Sequence, residues 1–144
     1  MNAARHQTHR SRFLADRNGA VTVEFALTAS ILFLFLFAAL EFGRYNMLQQ
    51  TATNAAFEAA RQCILPGAAA SDGQTAGLGV LTAAEITGGA VAINPSTITT
   101  TTSTVTATVA VPVSKNLWVA PIFCKAGTVT KSCTLTVDWT DSAR

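Results

Sequence analysis

The sequence predicts an α+β protein: a long N-terminal transmembrane helix that extends out of the membrane, packed by a small C-terminal antiparallel β-sheet head. Three observations carry this. From Ala20 to Leu40 the chain is apolar, with Glu24 as its single charge. From Leu40 to Leu65 it has no proline and repeats small residues at helical spacing. Beyond Asn94-Pro95 it turns to threonine and valine, with apolar and polar residues alternating at the two-residue period of a strand. The divisions that follow are 1–19 a basic leader, 20–40 the transmembrane helix, 41–65 its extension, 66–95 a connector and 96–144 a β-rich head.

Only 12% of the 144 residues are charged, which suits a membrane-anchored chain better than a soluble enzyme. The net charge of +2 conceals a gradient. Arg5, Arg10, Arg12 and Arg17 all precede Gly19, with Asp16 the only acid among them. No run of Lys or Arg interleaved with aromatics follows, so nucleic-acid binding is not expected.

At about 1.5 Å of rise per residue, 20–40 spans roughly 31 Å, the thickness of a bilayer's hydrocarbon core. Its centre, Ile31 to Phe37, is apolar all round, where a soluble amphipathic helix would show a polar face. Glu41 and Arg44 cancel just after the span, so the arginine flank puts the N-terminus in the cytoplasm and the C-terminus outside. Removal as a secretory signal needs small residues at −3 and −1 after the apolar run, and Phe37-Ala38-Ala39 fits that poorly. A plain uncleaved anchor fits the same residues. Glu24 needs a partner, water or a purpose, because an unpaired carboxylate in hydrocarbon is expensive. At the fifth residue of the span it is within reach of interfacial water or of Arg17.

In the extension, Ala52, Ala55, Ala56, Ala59 and Ala60 recur at spacings of three and four. Such residues let another backbone come close, either the chain's own head or another subunit. Glu41 and Arg44 lie three residues apart on one helix face. They form either a solvated ion pair of little energetic weight or part of a subunit contact. Pro66-Gly67 stops the helix, which then runs from 20 to 65, about 46 residues or roughly 70 Å. The Ala- and Gly-rich stretch that follows carries a weak helical signal from Leu78 to Ile86 and reads as a connector with one or two helical turns. Asn94-Pro95 marks a turn.

Val105, Ala107, Val109 and Val111 alternate with Thr104, Thr106, Thr108 and Ala110, giving a strand with one apolar face. Cys133 to Trp139 alternates again through Leu135 and Val137. Leu117 to Phe123 is apolar but carries Pro121, so it reads as an edge or a loop. Thr99 to Thr102 reads as strand or as a low-complexity linker. About three or four short strands packed on the exposed half of the long helix would bury these faces.

The three cysteines fall on the outer side, where disulfides persist. Cys124 and Cys133 bracket a segment that can fold back at Gly127, and they are the expected pair. Cys63 is then left over, and its pairing with either of the others stays open. His6 and His9 lie across the membrane from the cysteines, so neither a metal site nor a Ser-His-Asp set is expected. No cofactor and no enzymatic activity are expected.

A basic leader, a glycine, and an apolar helix with Glu at the fifth position after that glycine form the layout of a type IV prepilin. The chain resembles the TadE-like family of pilin-related proteins in tight-adherence (Tad) pilus systems. The resemblance covers Arg12 to Arg61 and is carried by Arg17-Asn18-Gly19-Ala20-Val21-Thr22-Val23-Glu24-Phe25-Ala26-Leu27, then Glu41-Phe42-Gly43-Arg44, then Ala59-Ala60-Arg61. Where the family often has a proline, Ala29-Ser30 stand here.

The resemblance implies a minor pilin or pseudopilin of the bacterial inner membrane, involved in pilus assembly and adhesion. A prepilin peptidase would cut between Gly19 and Ala20 on the cytoplasmic face. Its partners would be that peptidase, other pilins and pseudopilins, the inner-membrane assembly platform and membrane lipid. Glu24 and Phe25 are the implied assembly residues, with Glu24 pairing the freed Ala20 ammonium of its own or a neighbouring subunit. Glu41, Arg44, Ala52, Ala56, Ala59 and Ala60 are the candidate helix-contact residues. The alternatives are an uncleaved single-span scaffold of the same envelope complex and, more remotely, a released soluble binding domain.

Overall fold

A computed structural model describes residues 7–117 and 127–137, with side chains from Gly19 onward. The architecture is α+β, with a long apolar N-terminal helix and a three-stranded antiparallel sheet. Helix α1 is Gln7–Cys63, and it starts well before the expected Ala20. The leader offers no proline, and its one glycine, Gly19, costs a helix only about 1 kcal/mol relative to alanine. The helix also runs through Ala29-Ser30 without a break. The chain divides into two compact units between Leu40 and Glu41.

Among the described residues the first unit is helical. Its apolar side chains face outward all round, with Phe25 72% exposed. Two of its hydroxyls are satisfied locally, Thr28 donating to the Glu24 carbonyl at 2.8 Å and Ser30 to the Ala26 carbonyl at 2.8 Å. A helix that satisfies its own backbone and hydroxyls and shows lipid-like side chains is suited to a single membrane crossing.

The second unit is the head. It comprises α1 from Glu41 on, α2 (Ala70–Ala83), β1 (Ala90–Asn94), β2 (Thr104–Pro112), a 3-10 turn (Val113–Lys115) and β3 (Thr128–Thr136). The sheet order is β1-β2-β3, so β2 is central. Register places Val91 opposite Val109 and Val109 opposite Lys131. The β2 alternation falls as the sequence indicates: Val105, Ala107, Val109 and Val111 are buried. They pack with Leu48, the α1 alanines, Leu81 and Ile93. Each large aliphatic side chain so buried contributes about 1.5–3 kcal/mol. The opposite face of the sheet is lined by hydroxyls, with Thr106 and Thr134 bonded at 2.8 Å.

The stretch expected as a connector is more structured than its composition suggests. It holds α2, a full helix of 14 residues, and then β1. Alanine, glycine, serine and threonine give α2 little helical propensity, so packing decides. Gly73 sits against the Cys63 thiol and the Ala59 carbonyl, and Gly77 against the Ala59 methyl and Val91. The helix starts with Asp72 accepting from the Ala69 N–H at 2.8 Å. It ends with Ile86 N–H on the Leu81 carbonyl at 2.9 Å and Glu85 N–H on the Thr82 carbonyl at 3.0 Å. That double bond requires a left-handed residue, and Glu85 adopts it at φ 55. Glu85→Gly is therefore expected to stabilise the head by about 1 kcal/mol, read as a rise in melting temperature of the full chain in micelles.

Thr99 to Thr102 forms neither strand nor extended linker. Thr102 N–H bonds the Thr99 carbonyl at 2.9 Å, closing a turn in the β1–β2 connection. Strand β3 begins at Thr128, ahead of the expected Cys133. It lies at one edge of the described sheet. Lys131, the one charge in the three strands, shares the inward face of β3 with Val129. It lines a shallow surface hollow with Asn46, Gln49, Gln50 and Thr53 of α1. Residues 118–123 of the expected edge or loop, and Trp139, lie outside the described residues.

Candidate functional site

Gly19 has open space where a side chain would project, so nothing in the chain's own fold demands glycine there. Ala20 and Glu24 are exposed and four residues apart, hence on one helix face. Phe25 points outward among the other apolar side chains of the span.

Beyond the span the exposed pattern gives way to burial. Glu41 is only 6% exposed, so it is not the solvated member of an ion pair. Arg44 donates from Nε to the Asn116 carbonyl at 3.0 Å and from Nη1 to Met47 Sδ at 3.1 Å. Asn116 is itself 4% exposed and tied to the backbone on all sides. Its Oδ1 accepts from Thr87 N–H at 2.8 Å, and its Nδ2 donates to the Thr87 carbonyl at 2.9 Å and the Pro112 carbonyl at 2.8 Å. The first turn of α1 past Leu40 is thus bonded to the turn after β2, which in turn holds the segment after α2.

Ala52, Ala55, Ala56, Ala59 and Ala60 have no exposed surface; they pack against the chain's own head, the first of the two arrangements the sequence allows. Outward, α1 shows Phe57, 50% exposed beside Ala76, Gly79, Val80 and Ala83 of α2. Glu58 and Arg61 make an exposed bidentate pair at 2.8 and 3.0 Å. The Arg61 hydrogen bonds hold the Glu58 carboxyl below its usual range, but solvent leaves such a pair little energetic weight.

Cys63 and Cys133 are free thiols, and Cys124 lies outside the described residues. Burial pushes the Cys63 thiol up, and a hydrogen bond with the Gly73 backbone offsets only part of that. A buried thiol held protonated is a packing group rather than a nucleophile. Among the described residues, no three His, Cys, Asp or Glu side chains group to hold a metal ion.

Residues 19–61 match the model of the TadE-like protein family. That segment is TadE-like. No curated protein and no solved structure gives a match. The TadE-like segment begins on Gly19, takes in Glu24-Phe25, the whole apolar span and Glu41-Phe42-Gly43-Arg44, and ends near the close of α1. The sheet and α2 lie outside it. Asn116, Gly73 and Gly77 are the residues that sequence reading missed. The spacing of four between the two glycines is a signal for close helix packing; Asn116 carries no signal of its own.

Proposed function

We propose that the chain is a minor pilin or pseudopilin of a Tad-type (type IVb-like) pilus assembly and secretion system, involved in pilus assembly and adhesion. One observation carries the reading: the TadE-like match starts on a glycine followed at once by an exposed apolar stretch of helix with a carboxylate at its fifth residue. The chain would sit in the bacterial inner membrane with its N-terminus cytoplasmic and its head periplasmic, and after assembly reach the pilus or cell surface. A prepilin peptidase would cut between Gly19 and Ala20. The open space at Gly19 supports this, since the need for glycine then comes from the peptidase, whose cleft a bare backbone enters most easily. Cutting frees the Ala20 amine one turn from Glu24. In a bundle of such helices, Glu24 pairs with an Ala20 ammonium and sets the axial register, which offsets the cost of both charges in an apolar setting. A subunit of this kind catalyses nothing; the helix docks among other pilins and the assembly platform, and the head presents a surface.

The test is intact mass and N-terminal sequence of the protein from membranes, with and without active prepilin peptidase. A peptidase-dependent start at Ala20 is the expected result. Glu24→Gln should then leave cleavage intact but lower incorporation into fibres about tenfold or more, the scale of losing one buried charge pair; normal incorporation would sink the pairing. The second reading is an uncleaved scaffold of the same envelope complex, favoured by α1 running as helix straight through Gly19-Ala20. A start at Met1 in both samples would establish it.

A further inference from the structure

We infer that Arg44 is a positioning residue that fastens the head to its own TadE-like segment through a bond to main chain. Its Nε bonds the carbonyl of Asn116 at 3.0 Å, not a side chain. A guanidinium bonded to a carbonyl places no requirement on the residue that supplies it. Asn116 supplies the rigid half. Its side chain holds Thr87 and Pro112 at 2.8 to 2.9 Å, and its N–H bonds the Val113 carbonyl at 3.0 Å. The Arg44 bond therefore captures a turn that is already fixed. Further along α1, Ala59 offers a carbonyl and a methyl, and Cys63 a small thiol, to the glycines of α2.

The family match stops at Arg61 and the sheet lies beyond it. Arg44 in the Glu41-Phe42-Gly43-Arg44 motif thus has work inside its own chain. The inference stands on contacts within the head and assumes nothing about the pilus.

Hydrogen exchange of the full-length chain in detergent micelles tests it. Arg44→Ala should speed exchange at the Thr87 and Asn116 amides about tenfold, as expected for loss of one charge-assisted hydrogen bond. It should leave Val109, at the centre of the sheet, within about twofold. Arg44→Lys, which keeps a donor of the same charge, should restore most of the protection, and Arg61→Ala, which removes a cation from the exposed side of α1, should change none of it. Unchanged exchange at Thr87 and Asn116 in Arg44→Ala overturns the inference. So does a uniform rise that includes Val109, because that would make Arg44 a general stabiliser with no local office.

Discussion

Gly73→Ala is expected to destabilise the head by about 3 kcal/mol, the upper range of overpacking costs. The added methyl would overlap the Cys63 thiol and come within 2.7 Å of the Ala59 carbonyl. A helix gains about 1 kcal/mol from the same exchange when nothing is in the way, so the net sign reports the collision. The carbonyl belongs to the backbone of α1 and has nowhere to go. Cys63→Ala in the same chain should recover less than half of the loss, since it clears the sulfur and leaves the carbonyl. Gly77→Ala is the contrasting case. There the new methyl meets the Ala59 methyl and the Val91 side chain at 3.1 to 3.2 Å, a milder overlap that a shift of a few tenths of an ångström relieves. It should stay within about 1 kcal/mol of the parent. Melting curves of the full chain in micelles separate the two. If they lose equal stability, α2 does not pack as closely at Gly73 as its neighbours imply.

Asn116→Ala is expected to cost about as much by a different route. It leaves the Thr87 N–H and the Thr87 and Pro112 carbonyls without partners where only 4% of the asparagine was exposed. Each such group costs about 1–3 kcal/mol, with some relief from entering water, for a total of about 3 kcal/mol. Asn116→Asp is more discriminating. One oxygen can still accept from Thr87 N–H, but the other faces two carbonyls and repels both. The native state therefore favours the protonated acid and raises its pKa above the unfolded value of about 3.9. A raised acid pKa means that stability falls as pH climbs from the unfolded value through the folded one, and the full deficit stands above both. Measured against the parent, the variant should look worst at neutral pH and partly recover in acid. A pH-independent deficit would mean that water, and not the two carbonyls, surrounds that side chain.

These residues also show where sequence reading reaches its limit. The apolar span, the alanine stripe and β2 are each repeated patterns, and a pattern survives the loss of any one position. Gly19 and Glu24 stand out in the sequence for a related reason, since the reading placed on them rests on spacing along one helix. Helix α2 is the opposite case. Its glycines argue against a helix locally and are required by the close approach of α1, information that only the packed chain contains. Strand β1 is short, alanine-rich and preceded by Gly88-Gly89, so it blends into its surroundings. The place of Arg44 depends on a turn more than seventy residues away in the chain, as the Arg44–Asn116 separation of 72 shows. Helix periodicity puts Glu41 and Arg44 on one face but does not say what covers it.

The inward lysine of β3 bears on how such a protein behaves when many copies crowd together. An edge strand offers a row of unspent backbone donors and acceptors, and a second copy could extend the sheet there without limit. Lys131 sits midway along that strand with its stem among polar residues of α1. A strand arriving at the edge would have to bury that ammonium beneath the lengthened sheet or twist away from it. The same residue that looks like an imperfection in the core face would thus disfavour edge-to-edge growth of the sheet at β3.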